Sequence, residues 1–129
     1  MYNYEEAVRA DVKAYIEDNR ADILDWLTDN CITLDDTDGV AGFIRDILWA
    51  CDDVTGNETE YTNYVDDATT KQWVLENIDL AGDALNEFGY DCEHFGRKIA
   101  EGDYKYLDTT IRCYLLGGVV EEVIREGGI

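Results

Sequence analysis

The sequence predicts an all-α protein: a single compact helical domain of about five to six helices, with an apolar C-terminal helix at its centre. Its 129 residues include no proline, and apolar residues recur at helical spacing along nearly the whole chain. Hydrophobic residues make up 46% of the chain, which is enough for a sizeable core. Since no stretch has the composition of a linker, one domain is expected to span residues 1–129.

The first three helices are predicted at about residues 3–19, 21–31 and 39–51. In each of them, apolar side chains are spaced three or four residues apart, as one buried helix face requires. The oxygen-bearing side chains of residues 35–38 are expected to cap the third helix. The residues expected to face inward are Ala7, Val8, Val12, Tyr15, Ile16, Ile23, Leu24, Leu27, Phe43, Ile44, Ile47 and Leu48, with Trp26 as a further candidate on the second helix.

A polar loop is predicted at residues 52–61, where the helical pattern has its longest break. Helices are then expected at about residues 67–75, 77–88 and 91–101, with an aspartate or asparagine available to cap each of the first two. Glycines at the ends of the last two of these helices are expected to stop them.

The last helix is the most apolar, and it is expected to lie at the centre of the domain. Its Gly117-Gly118 pair predicts close packing against another helix or a bend, because each glycine costs about 1 kcal/mol relative to alanine. The apolar stripe of this helix consists of Leu107, Ile111, Tyr114, Leu115, Val119 and Val123, with Ile124 as a further candidate.

Charge is the feature of this chain that bears most on function. Thirty acidic residues face ten basic ones, giving a net charge of −20. Duplex DNA carries one negative charge per about 1.7 Å of axis, so this charge matches about 34 Å of duplex. A compact domain of this length is about 36 Å across, and solubility needs a net charge of magnitude only about 2–8. The excess charge therefore predicts a basic, nucleic-acid-binding protein as the partner.

Three concentrations of acidic residues are the candidate partner-binding residues. Those of the first recur three or four residues apart, so they form one stripe along the second helix and its start. The three groups are Asp18, Asp22, Asp25 and Asp29; Asp35, Asp36 and Asp38; and Asp52, Asp53, Glu58 and Glu60.

The sequence predicts no catalytic residue, no cofactor and no metal site. His94 is the one histidine, and the cysteines show no zinc-ligand spacing. Residues 35–39 fail as a calcium-binding loop, because Leu34 and Arg45 fall on the positions that need carboxylates. A phosphate-binding loop would need a glycine-rich turn with a lysine, and the chain has none.

Cytoplasmic location in a bacterial host cell is expected, because the sequence shows neither an export signal nor a membrane span. In that reducing compartment, the cysteines are expected to be free thiols within the core. These cysteines are Cys31, Cys51, Cys92 and Cys113.

Two strings, VTGN at residues 54–57 and IRCYLLG at residues 111–117, resemble a family of small acidic proteins carried by phages and mobile elements of Gram-positive bacteria. Residues 77–89 are similar to the middle helix of that family. The resemblance covers roughly the C-terminal two-thirds of the chain. It implies a role in counter-defence, where anti-CRISPR and anti-restriction inhibitors are often small, acidic and DNA-mimicking.

Charge and resemblance together predict a non-enzymatic inhibitor that binds a Cas effector nuclease as a DNA mimic and blocks its nucleic-acid channel. The protein itself is expected to bind neither nucleic acid nor anionic membrane. Alternatives are an inhibitor of a restriction enzyme or another DNA-binding host protein, and an acidic phage structural or regulatory domain without mimicry. Salt adaptation and sequestration of a small ligand also remain open, as does the oligomeric state.

Overall fold

Seven α-helices and no strand make up the described part of the chain, which comprises residues 2–49, 64–89 and 91–129 of a computed structural model. The all-α class is confirmed, with slightly more helices than expected. The loop predicted at residues 52–61 lies outside the described residues. The helices are α1 (Tyr4–Asp18), α2 (Arg20–Asp29), α3 (Thr37–Trp49), α4 (Asp67–Glu76), α5 (Ile78–Glu87), α6 (Cys92–Glu101) and α7 (Tyr104–Arg125).

Short polar side chains start five of these helices, α3 among them, by accepting a hydrogen bond from a free backbone N–H group. Asn3 accepts from Glu6 at 3.0 Å, and Asp66 and Asp91 cap α4 and α6 in the same way. Asp103 accepts from the N–H of Tyr106 at the start of α7. These caps explain why the observed starts of α1, α4 and α6 lie within a residue or two of those predicted.

Asparagines end α1, α2 and α4. The side-chain amides of Asn19, Asn30 and Asn77 each donate to the carbonyl oxygen four residues earlier, at 2.8–3.0 Å. These bonds satisfy carbonyl groups that a helix end leaves without partners. The sequence offers Asn77 or Asp79 as the cap of α5. The side chain of Asn77 makes no such bond to α5 and closes α4 instead.

Two hydrophobic clusters fill the interior, and α7 contributes to both. The C-terminal half of α7 packs with α1, α2 and α3, while its N-terminal half packs with α4, α5, α6 and Tyr4. The first cluster is centred on Val8, Val12, Ile16, Ile23, Leu27, Val40, Ile44, Leu48, Leu116, Val120 and Val123. The second is centred on Tyr4, Trp73, Val74, Ala81, Leu85, Leu107 and Ile111.

The glycine pair of α7 does not have the packing role expected of it. A Cβ atom on Gly117 would lie 3.5 Å from Cδ of Arg45, which is an ordinary contact distance, and one on Gly118 would meet open space. The helix runs without interruption through both residues. The pair instead lies in the wall of a surface groove, described below.

A Schellman turn ends α2, and a cysteine occupies its left-handed position. Cys31 has a φ of 57° and is exposed, so the expectation that it lies in the core is wrong. Its N–H donates to the carbonyl of Thr28 at 3.0 Å, and the N–H of Ile32 donates to that of Leu27 at 2.9 Å. The other cysteine whose side chain is described, Cys113, is half-buried.

Replacing Cys31 with glycine should raise the free energy of unfolding by about 1 kcal/mol. The left-handed conformation costs a residue with a Cβ atom about 1–2 kcal/mol, and the greater entropy of unfolded glycine offsets part of that gain. Urea denaturation monitored by circular dichroism measures the change. Cys31→Ala, which keeps the Cβ atom, is the control and should leave stability nearly unchanged. A glycine variant less stable than the parent would contradict this account.

Candidate acidic interface

The acidic row of α2 points into solvent. Asp22, Asp25 and Asp29 are spaced by three and four residues, which places them on one helix face, and all three are exposed. The buried residues Ile23 and Leu27 project from nearly the opposite side and hold α2 on the core. The sequence therefore decides the orientation of α2, because its apolar positions fix which face remains for the carboxylates.

Two further exposed aspartates flank this row in the sequence: Asp18 precedes it and Asp35 follows it. Asp18 is the last residue of α1, and Asn19 alone separates it from α2. Asp35 lies in the turn between α2 and α3. We call Asp18, Asp22, Asp25, Asp29 and Asp35 the α2 acidic surface.

Asp36 and Asp38, the other members of the second predicted group, have structural partners. Asp36 accepts a hydrogen bond from the N–H of Gly39 at 3.0 Å and so caps α3, as expected for this segment. Glycine is needed at position 39, because a Cβ atom there would overlap the Asp36 carboxylate. Asp38 lies 3.9 Å from the guanidinium of Arg125.

The third predicted group lies outside the described residues. It consists of Asp52, Asp53, Glu58 and Glu60. These four residues stay a sequence-based prediction, as does the role of the neighbouring string at residues 54–57.

Ion pairs within the described ranges leave the α2 acidic surface without cationic partners. Its five carboxylates take part in none of these pairs. Arg20, the basic residue of α2, donates instead to the backbone carbonyls of Gly128 and Ile129. The pairs that do form join Arg9 to Glu122 and Glu126, Arg45 to Asp46, Lys98 to Glu101 and Asp103, Arg112 to Asp11 and Asp108, and Arg125 to Asp38 and Glu121.

A second acidic row, on α5, was missed by the sequence reasoning. Asp79, Asp83 and Glu87 recur every four residues, are exposed, and also form no ion pair with any other described residue. The four-residue spacing was the signal that could have revealed it. This row is shorter than the α2 acidic surface, which continues into α1 and the α2–α3 turn.

The unpaired acids predict a salt-dependent stability. The melting temperature should rise by a few degrees between low salt and a few hundred millimolar sodium chloride, because counterions screen repulsion among exposed carboxylates. Differential scanning calorimetry at constant pH measures this change. The opposite trend, or no change, would mean that repulsion among the acids does not limit stability.

A buried polar network links the N-terminus of α1 to α4 and α7, and the sequence reasoning missed it. Asp108 and Arg112 are fully buried and paired, with Nε of Arg112 3.0 Å from Oδ2 of Asp108. The hydroxyl of Tyr4 donates to Oδ1 of Asp108 at 2.5 Å and lies 3.2 Å from the Thr70 hydroxyl. The guanidinium of Arg112 also donates to the hydroxyl of Tyr2 at 3.1 Å.

The titration behaviour of this network follows from its burial. Burial raises the pKa of the Asp108 carboxyl, although Arg112 and the Tyr4 hydroxyl oppose that shift. Burial acts to lower the pKa of Arg112, but the neighbouring Asp108 carboxylate raises it overall. The pKa of Tyr4 is raised, first by burial and then by the Asp108 charge. None of these groups reaches the exposed acidic surface, so we assign the network to the fold.

His94 makes contacts within the fold. Its Nε2 lies 3.2 Å from the hydroxyl of Tyr106, and its Nδ1 lies 3.4 Å from the guanidinium of Arg97. No group of three or more histidine, cysteine or acidic side chains within the described ranges is arranged to hold a metal ion. The side chain of Cys92, two residues before His94 in the sequence, lies outside what is described.

A groove of about 540 Å³ runs along α7. Its lining includes Trp49 and Phe88, whose ring centroids are 6.5 Å apart, and the Gly117-Gly118 pair. The charged residues of its described lining are all acidic: Glu5, Glu87 and Glu122. These carboxylates disfavour an anionic small ligand such as a nucleotide in this groove.

Within the described ranges, no helix combines the length and the apolar character that crossing a membrane requires.

Comparison of the chain with protein-family models, curated protein sequences and solved structures found no match. The functional argument therefore depends on the surface of this chain alone.

Proposed function

We propose that this protein is a non-enzymatic inhibitor of a basic nucleic-acid-binding enzyme, and that the α2 acidic surface takes the place of nucleic-acid phosphates in that enzyme. The observation that carries the proposal is a row of exposed, aligned carboxylates that lacks ion pairs within the described structure. The first candidate target is a CRISPR effector nuclease, because its guide–target duplex lies in a positively charged channel.

The spacing of the row supports phosphate mimicry. Side chains three or four residues apart on a helix lie about 5–6 Å from each other, comparable with successive phosphates along a strand. Carboxylates on a helix are held at fixed spacing, so they can meet lysine and arginine side chains as charge-assisted pairs. In this proposal α7 is the central helix that supports the surface, since it contacts α1 and α3, which adjoin α2.

The placement of these acids costs stability, which also supports a functional role. Asp18 and Asp29 are the last residues of their helices, where the helix dipole disfavours a carboxylate by about 0.3–1 kcal/mol. Asp22 and Asp25, like Asp25 and Asp29, are like-charge neighbours that cost a few tenths of a kcal/mol per pair. Such local costs without a benefit to folding are typical of functional surfaces.

The proposed mechanism is competition without turnover. The protein occupies the channel of the enzyme in the bacterial cytoplasm and excludes nucleic acid through both volume and charge. One inhibitor molecule then blocks one enzyme molecule, and DNA that is already bound protects the enzyme. A restriction endonuclease is the second candidate target, because its DNA-binding cleft offers the same type of charge.

A DNA-cleavage assay with a guide-loaded Cas9-type nuclease tests the proposal. Cleavage should fall to zero near one equivalent of protein when the protein is added before DNA. When DNA is added first, the same amount of protein should reduce cleavage much less. Higher salt should weaken the inhibition, and the protein alone should not retard duplex DNA in a gel. Retardation of DNA by the protein alone, or full cleavage by both this nuclease and a panel of restriction endonucleases, would contradict the proposal.

A further inference from the structure

An apolar pocket of about 430 Å³ opens beside the α2 acidic surface, at the Schellman turn that ends α2. That turn brings Ile32 back towards Leu27, since the N–H of Ile32 donates to the carbonyl of Leu27 at 2.9 Å. Leu27 is buried, whereas Leu34 is 55% exposed. The apolar part of the lining consists of Leu24, Leu27, Ile32 and Leu34.

Exposed acidic residues directly follow three of the pocket-lining residues in the sequence. Asp25 follows Leu24 in α2, and Asp35 directly follows Leu34 in the turn. Asp29 lies on α2 one turn beyond Asp25. None of these three carboxylates forms an ion pair with another described residue. An apolar pocket whose lining residues are followed in the sequence by exposed acids fits the apolar centre and charged rim that are typical of a protein–protein interface.

We propose that this pocket binds one apolar side chain of the basic partner, from a segment in which lysines or arginines flank that side chain. The choice of a basic partner rests on the proposed function, and the proposal adds the chemistry of the contact. The apolar side chain enters between Leu24 and Leu34, while the flanking cations meet Asp25, Asp29 and Asp35.

Charge complementarity selects this occupant over a second copy of the chain and over a membrane. A net charge of −20 repels both another copy and an anionic lipid surface. A phosphate mimic that relied on charge alone would gain nothing from Leu34 at its edge. A cationic segment with one apolar side chain satisfies both the pocket and its rim.

Two synthetic peptides of equal charge test the proposal: Lys-Arg-Phe-Arg-Lys and Lys-Arg-Ser-Arg-Lys, both acetylated and amidated. Each is titrated into the full chain at low salt, and binding is followed by nuclear magnetic resonance. The phenylalanine peptide should bind about tenfold more tightly, because the pocket removes its ring from water. Leu34→Ser should abolish this preference. Leu75→Ser is the control and should retain it, because Leu75 on α4 is equally exposed, at 55%.

Equal affinities for the two peptides, no binding of the phenylalanine peptide, or a preference that survives Leu34→Ser would overturn the proposal. Dimerisation that Leu34→Ser abolishes in analytical ultracentrifugation would assign the pocket to a second copy and would also overturn it. The peptide titrations contain no nuclease. A chain that prefers the phenylalanine peptide but inhibits no enzyme would therefore refute the proposed function and leave the pocket assignment intact.

Discussion

Replacing Arg112 with methionine should lower the free energy of unfolding by about 3–5 kcal/mol, because it leaves Asp108 buried without its cationic partner. Arg112 and Asp108 are 1% and 0% exposed, so water cannot take the place of the missing guanidinium. Methionine preserves much of the side-chain volume, which limits the contribution of lost packing. Urea denaturation at pH 7, with a comparison of the m-values, measures the effect.

The matched control is Arg125→Met, which removes an arginine of the same helix from an exposed ion pair. Arg125 is 62% exposed and pairs with Glu121 at 2.5 Å, so its loss should change stability by less than about 1 kcal/mol. The double variant Arg112→Met/Asp108→Asn should recover most of the stability lost in Arg112→Met, because asparagine can still accept from the Tyr4 hydroxyl without carrying a charge. Equal effects of Arg112→Met and Arg125→Met would show that the buried pair has no special energetic role.

The stability of Arg112→Met should also depend on pH in a defined direction. Burial already raises the pKa of Asp108, and removing the guanidinium raises it further. The folded variant then keeps a proton on Asp108 above pH ~4, where the unfolded chain has released it. Its stability should therefore fall, relative to that of the parent, as pH rises towards neutrality through the range in which Asp108 is ionised in the folded parent but still protonated in the folded variant. A stability difference that is constant across this range would contradict a buried, titrating Asp108.

Local sequence patterns were sufficient to predict where the helices lie. Caps such as Asp66 and Asp91, and apolar residues at helical spacing, act within a few positions of one another. The buried network could not be predicted in this way, because Tyr4 meets Thr70 and Asp108 across 66 and 104 residues of chain. The four-residue spacing of Asp108 and Arg112 within an apolar stripe was a signal that the two could pair on a buried helix face. Periodicity predicts the helix face on which a residue lies, but not the distant residues that it contacts.

The candidate surface was predictable to a similar extent. The spacing of the α2 acids, together with the apolar positions of the same helix, was enough to predict one exposed row. Sequence could not show that Asp36 and Asp38 have structural partners, since Asp38 meets Arg125 from the opposite end of the chain. The exposure of Cys31 was missed because residue type favours burial, whereas the turn that ends α2 places this residue at the surface.

Reversing the charges of Asp22, Asp25 and Asp29 together should weaken inhibition of the target nuclease on the order of 100-fold. Three lysines would then face the basic channel of the enzyme, and like charges brought together at an interface cost several kcal/mol. Most of the change should appear as slower association, because charges at an interface rim act mainly on the encounter of the two proteins. Surface plasmon resonance at several salt concentrations, together with the cleavage assay, measures both effects.

The α5 row provides the matched control, with Asp79, Asp83 and Glu87 all changed to lysine. Both helices have ten residues, and each triple change alters the net charge equally. Each also puts one lysine near the helix N-terminus and one at the last residue, so the effects on the helix dipole are matched. If total charge alone drives binding, both variants should lose inhibition equally. If the contact is specific to α2, the α5 variant should retain most of its inhibition of the nuclease. An α2 variant that inhibits as strongly as the parent would show that these carboxylates do not form the contact.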